Sequence, residues 1–461
     1  GLAAGTNESD FNGNLVNTMN AAITVTYTVT PESALGCAGA LFDVSVTVEP
    51  TPSIADETVE ACTNSAFSVT PANGGANNNI VPAGTVYSWS APTAVTGITG
   101  LAAGTGESDF NGNLVNTTSA PIDVTYTVTP MAGQCMGTAF DVVVTVNPTP
   151  VIANQVVAAC TGDNFTVAPV DGNNSDVVPT ATVYSWSAPA AVTGITGLAA
   201  GTNESDFNGN LVNTTNAPIV VTYSVTPVSG SCSGNAFSVD VTVNPTPVVA
   251  NEQVDVCSGD IFTVSPLNGG SNIIPLGTTY TWTVIDNANV TGESDANTQQ
   301  TSISQTLINT TNSVQTVIYT VTPNQPGCSG NPFTVTVNVN PTPVIADEVL
   351  TICSGDMLSY VPSNGNGNII PVGTEYTWTV VDNSFILGET SQSTAQSELS
   401  QTLVNVFTAP QTVVYSVTPI IGSCAGTPFT VSVVISPIPN ITAITGASNV
   451  CVGSTTTLAS S

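Results

Sequence analysis

Between Val124 and Pro150 apolar and polar positions alternate in two runs. Val124, Tyr126 and Val128 are separated by threonines, and Phe140, Val142, Val144 and Val146 keep the same period of two. That period predicts two strands, each with one face turned to a core. A turn carrying Cys135 joins them, and Pro148-Thr-Pro150 ends the unit. Near-copies stand at Val25–Pro52, Val221–Pro247, Val317–Pro343 and Val413–Pro439.

Upstream of this hairpin, residues 51–148 show further strand patterns. Ile54 to Cys62 reads as a first strand closed by a turn, and Phe67 and Val69 alternate with Ser68 and Thr70 in a second. An Asn/Gly-rich loop, Asn73–Asn79, precedes a strand that sets Tyr87 and Trp89 on one face. A looser segment from Thr96 to Gly112 leads to Asn113-Leu-Val-Asn-Thr117, a short edge strand. About seven antiparallel strands in one such unit, with no helical periodicity, predict an all-β, Ig-like/PKD-like antiparallel β-sandwich. Trp89 and Tyr126 fall on inward positions and are expected in the core.

Rare residues measure the repeat. The first cysteines stand at 62, 160, 257, 353 and 451, in steps of 98, 97, 96 and 98. The second stand at 37, 135, 232, 328 and 424, in steps of 98, 97, 96 and 96. Trp89, Trp186, Trp282 and Trp378 fall one per complete repeat. A solenoid unit is shorter than this, so each repeat is a domain. The expected division is 1–50, the C-terminal part of a repeat; complete repeats at 51–148, 149–245, 246–341 and 342–437; and 438–461, the N-terminal part of the next. The chain thus reads as a piece of a longer tandem array. Prolines in each three-residue junction favour an extended spacer, and the array is expected to form a rod. At about 40 Å per module it would be roughly 170–200 Å long.

Composition then removes classes of function. The chain has no Lys, Arg or His and a formal net charge of −31. No imidazole or amine can serve as a general base, and no cation can hold a phosphate. The charge repels nucleic acid and anionic membrane surfaces, so neither is an expected partner. No apolar run approaches the ~18 residues of a membrane span, and no signal peptide is present. An enzyme would need a carboxylate pair, yet the acids are spread through near-identical repeats. None is expected, and no catalytic residue is assigned.

Two cysteines per repeat, without His, point to disulfides rather than zinc. Pairing within a repeat would give Cys62–Cys135, Cys160–Cys232, Cys257–Cys328 and Cys353–Cys424. Pairing across each linker would give Cys37–Cys62, Cys135–Cys160 and their equivalents. Strand order favours a third scheme. The first Cys closes the first strand at a module's far end, and the second lies in the last hairpin at its near end. Those ends are farther apart than the ~6 Å a disulfide allows between Cα atoms. Inter-domain bonds Cys62–Cys232, Cys160–Cys328 and Cys257–Cys424 are therefore preferred.

Asp109-Phe-Asn111-Gly-Asn113 and Asp206-Phe-Asn208-Gly-Asn210, with a third copy at Asp10–Asn14, have the oxygen spacing that starts a calcium loop. The bidentate Glu does not follow, and an Asx turn explains the pattern equally. These six residues are weak calcium candidates, and no other cofactor is expected. Asn116, Asn213 and Asn309 each open a sequon, a pattern that a recurring edge strand explains as well.

Several short patterns together, Cys257-Ser-Gly-Asp260, Tyr87-Ser-Trp89, Val124-Thr-Tyr-Thr-Val-Thr-Pro130 and Cys135-Met-Gly-Thr-Ala-Phe140, resemble the PKD-like repeats of very large Bacteroidota surface proteins. Trp89 is followed by Ser-Ala-Pro in place of the Asp-Phe-Gly-Asp-Gly of PKD domains proper. The resemblance is strongest to SprB-type gliding-motility adhesins exported by type IX secretion. It implies an extracellular, outer-membrane-attached filament that adheres to a substratum or surface polysaccharide and meets the gliding and secretion machinery through other regions. Two functions follow: a structural stalk whose partners are its own neighbouring repeats, or an array of weak carbohydrate- or calcium-binding modules. The first is preferred, because the aromatics fall on inward positions.

Overall fold

The computed structural model describes residues 4–75 and 77–439 and part of 444–460. The expected partial repeat at 438–461 therefore lies largely outside the described residues. The chain divides into two compact units, Gly1–Asn213 with Pro218–Asn244, and Thr214–Ala217 with Pro245–Ser461. Among the described residues both units are all-β, apart from a 3₁₀ turn at Asn173–Ser175 in the first.

The repeat at 51–148 shows the plan. Its strands are β1 (Glu57–Cys62), β2 (Ala66–Val69), β3 (Val86–Trp89), β4 (Ile98–Thr99), β5 (Gly104–Glu107), β6 (Phe110–Asn113), β7 (Val115–Asn116), β8 (Ile122–Ala132), β9 (Cys135–Met136) and β10 (Phe140–Asn147). The main sheet runs β1-β10-β8-β3-β5, with β9 folded onto β8. Two small ladders, β2–β6 and β4–β7, carry the residues that cover it.

The pairing is antiparallel through most of the sandwich, as the alternating pattern predicts, and one pair of the main sheet is parallel. β1 runs parallel to β10, from Glu57 opposite Val142 to Cys62 opposite Asn147. The chain enters the main sheet by β1, alternates between the covering ladders and the sheet strands β3 and β5, and finishes in the sheet through β8 to β10. It therefore enters and leaves along neighbouring strands that point the same way. The same parallel pair recurs between Gln155–Cys160 and Val239–Asn244, Glu252–Cys257 and Val335–Asn340, and Glu348–Cys353 and Val431–Ser436.

The alternation sets the core. Val124, Val128, Val142, Val144 and Val146 are wholly buried, while Thr125, Thr127 and Thr129 face outward. Burying each valine contributes about 1.5–3 kcal/mol. Tyr126 and Trp89 lie in the same core. Phe110, placed by the sequence in a turn, is 0 % exposed at its centre, with ring centroids 4.8 Å from Trp89 and 5.1 Å from Tyr126. Each complete repeat has a hydrophobic cluster of its own.

Candidate functional site: a stapled module junction

The distinctive chemistry among the described residues gathers where one sandwich passes into the next. In the first unit the junction begins at the end of β1. Cys62 lies beside Asn147, the last residue of β10, and the Thr63 amide donates to the Asn147 carbonyl at 2.8 Å. Both strand ends thus leave the sandwich at one place. The linker Pro148-Thr149-Pro150 follows, with both prolines buried. Val151 is then tied to Val177 of the next module by two backbone hydrogen bonds of 3.0 and 2.8 Å. Only three residues separate the two anchored ends.

A glycine brings the second cysteine to this linker. A Cβ on Gly234 would strike the Pro150 carbonyl, so only glycine lets the hairpin of the next module lie against the linker. Cys232 stands two residues earlier and is bonded to Cys62, with Cα atoms 5.5 Å apart. Ser119 adds a hydrogen bond across the junction, donating to Asp171 Oδ2 at 2.7 Å. The amide of Val178 and this hydroxyl hold the Asp171 carboxyl below the usual carboxylate range. A cleft of about 230 Å³ lies beside the linker, lined by Glu60, Ser119, Pro121, Asn147, Pro179 and Ser231 among others. It presents one carboxylate and no aromatic platform.

The second unit repeats the arrangement. Cys257 lies beside Asn340, whose carbonyl accepts from the Ser258 amide at 2.8 Å. Gly426 fits against the Pro343 carbonyl, and Cys424 is bonded to Cys257 with a Cα separation of 5.5 Å. These bonds correct the two alternative schemes. Cys62–Cys135 and Cys160–Cys232 cannot form, because Cys62 and Cys232 hold each other. Cys257–Cys328 and Cys353–Cys424 fail in the same way, and so does the linker pair Cys37–Cys62. Cys37, Cys135, Cys353 and Cys451 are free thiols, so Cys135–Cys160 is excluded too; Cys160 and Cys328 are not among the free thiols. Opposite ends of one sandwich carry the two cysteines, and that distance rules out closure within a repeat.

The calcium candidates lie on and beside exposed strands. Asp109 accepts from Asn111 Nδ2 and Ser68 Oγ, both at 2.7 Å, and these bonds lower its pKa. Asn113 turns its amide nitrogen to the Asn64 carbonyl at 3.5 Å. Asp206 accepts from Asn208 Nδ2 at 2.7 Å, and Asn210 donates to the Gly162 carbonyl at 2.6 Å. Each carboxylate is thus taken up by an asparagine amide nitrogen and a serine hydroxyl, both donating to it. Among the described residues no group of three or more His, Cys, Asp or Glu is placed to hold a metal ion.

Sequence reasoning missed the role of the sequon asparagines. Asn116 is buried and donates both amide protons, to Ala120 O at 2.7 Å and Val146 O at 2.8 Å. Its Oδ1 accepts from the Thr118 amide at 2.9 Å. Asn309 makes the same set with Ser313, Val339 and Thr311. Asn213 is likewise buried and donates to Val243 O at 2.9 Å. A glycan needs a free amide nitrogen, so Asn116 and Asn309 are structural clamps at the end of the last strand. The sequon-free Asn405, bonded to Ala409 and Ile435 in the same way, was the available signal.

Comparison with known families matches residues 2–52, 59–150, 157–247, 254–343 and 350–439 to the PKD-like domain. Those matches cover most of the chain, which belongs to the PKD-like domain family as five tandem repeats. Functionally characterised proteins include no sequence match. Solved structures that align include an I-band fragment of titin, at 9% identity over 62% of this chain and 97% of that one, with a TM-score of 0.28. The human desmocollin-1 ectodomain aligns at 12% identity over 91% of this chain and 86% of that one, with a TM-score of 0.25. Sidekick-1 immunoglobulin domains 1–5 align at 8% over 92% and 97%, with a TM-score of 0.23.

Proposed function

We propose that this chain is a stretch of the structural stalk of a long cell-surface adhesin filament, giving reach and stiffness for adhesion and, on the SprB-type resemblance, for gliding. Repeats of PKD-like domains are typically structural modules, and a chain without Lys, Arg or His has few groups for catalysis. The observation that carries the reading is the junction. Two covalent connections, a three-residue linker with buried prolines and a disulfide, join successive modules within each unit. Disulfides persist in oxidising compartments, which suits a secreted or surface protein. No helix among the described residues is long and apolar enough to cross a membrane.

Small-angle scattering of the oxidised chain tests the reading. A stalk gives a maximum dimension of roughly 170–200 Å from modules of about 40 Å each. A compact particle would sink it. A glycan array and a calcium titration on the same protein examine the other function; saturable binding by every repeat would replace the stalk with an array of binding modules.

A further inference from the structure

The geometry points to a covalent load path that runs along the stalk and leaves most of each sandwich out of it. This rests on the stalk reading for its purpose but not for its geometry. The bond from Cys62 to Cys232 spans 170 residues, and that from Cys257 to Cys424 spans 167. A pull on the two ends of the chain follows the shortest covalent route. It passes along Glu57–Cys62, crosses to Cys232, and continues through Phe237–Asn244 and Glu252–Cys257. From there it crosses to Cys424 and leaves along Phe429–Ser436. The residues between each bonded pair hang from this route as closed loops.

That route has little slack. Its principal segments are β-strands, which already rise about 3.2–3.4 Å per residue. A fully stretched chain reaches only about 3.3–3.6 Å per residue. Unfolding a bypassed core therefore adds almost no length. In a sandwich lacking these bonds, the same event would release a whole repeat of chain. The parallel pairing of β1 with β10 makes this possible, because it brings the first cysteine to the end from which the last strand leaves. The staple thus separates two duties: the bonded strands carry tension, and the sandwich cores hold their spacing.

Single-molecule stretching of the full chain tests this, with handles attached enzymatically at the two ends so that the exposed Cys37 and Cys451 are not used. Oxidised protein should reach its limit short of the reduced protein by roughly 1,100–1,200 Å, the two bridged spans at about 3.3–3.6 Å per residue. The Cys62→Ser/Cys424→Ser double variant should lengthen by at least roughly 500 Å without reductant on the same scale. Cys135→Ser, at a free thiol, should change nothing. Equal lengths before and after reduction would overturn the proposal, as would a Cys62–Cys135 peptide in a non-reducing map. The stalk reading falls separately: a compact particle in scattering leaves the stretching result intact.

Discussion

The repeats at 51–148 and 246–341 fill the same place in the core by opposite means. In the first, Phe110 packs between Trp89 and Tyr126, and Gly112 leaves room for Phe67, whose ring a Cβ at 112 would meet at 2.8 Å. In the second, Ile303 takes the place of Phe110, and Gln305 that of Gly112. Gln305 accepts from the Tyr319 hydroxyl at 2.7 Å and donates to the Ser294 carbonyl and hydroxyl at 2.7 and 2.9 Å. Glu293 stands where the first repeat has Leu101; one of its oxygens accepts from the Asn287 amide at 3.0 Å, and the other is buried without a partner. Gln401, Tyr415, Thr390 and Glu389 repeat this network in the fourth module. One backbone accepts either an aromatic stack or a polar network, because the ladders β2–β6 and β4–β7 only need to cover the main sheet. The junction, in contrast, is the same in both units, since Gly234 and Gly426 meet a backbone carbonyl that no side-chain change can move.

The largest test of this contrast is Phe110→Ala, which should cost about 3–5 kcal/mol in urea unfolding, as for other buried aromatics. A loss below about 1 kcal/mol would mean the aromatic stack is not the core of its repeat. Gln305→Leu comes next. It strands the Tyr319 hydroxyl, and unfolding should be easier by about 1–3 kcal/mol. If Gln305→Leu stabilises the chain, the network is dispensable and the two repeats differ only in shape. Glu293→Gln should act in the other direction by about 1 kcal/mol, because it removes a partly buried charge and keeps an oxygen for Asn287.

The smallest effect is alkaline. Burial, and then the neighbouring Glu293 and Glu389, hold the Tyr319 and Tyr415 phenols well above the usual range. Burial, then Glu348 and Tyr376, push Tyr360 up to about 12. Tyr126 and Tyr223 are raised by burial too, though backbone amides at Ala102 and Ala199, donating to the phenol oxygens, work against it. A raised folded pKa means the native state keeps its proton longer than the unfolded chain. The stability is whole below about pH 10 and is lost as pH climbs toward the folded values. Tyrosinate absorbance should therefore appear together with unfolding, and later for Tyr319 and Tyr415 than for an ordinary phenol. Ionisation of Tyr319 and Tyr415 near pH 10 in the folded protein, read from Tyr→Phe difference spectra, would contradict this.

Much of the fold was legible in the chain. The period-two runs at Val124–Val128 and Phe140–Val146 need only a half-buried strand to explain them, and the cysteine steps need only a repeating domain. Neither depends on which distant segment lies beside it. Three features did depend on that. Phe110 reads as part of a turn because Asp109, Asn111 and Asn113 surround it, and only pairing of β6 with β2 turns its ring inward. Asn116 reads equally as a sequon or as part of a recurring edge strand until the end of β10 supplies the Val146 carbonyl that uses its amide. The parallel register of β1 on β10 leaves no mark in a local pattern, since a strand alternates identically whichever way its neighbour runs. The sequence by itself determined the strands, the repeat and the two cysteines per module, all properties of local pattern and spacing. Which strands became neighbours, and hence which cysteines could meet across a linker, was decided only when the chain folded back on itself.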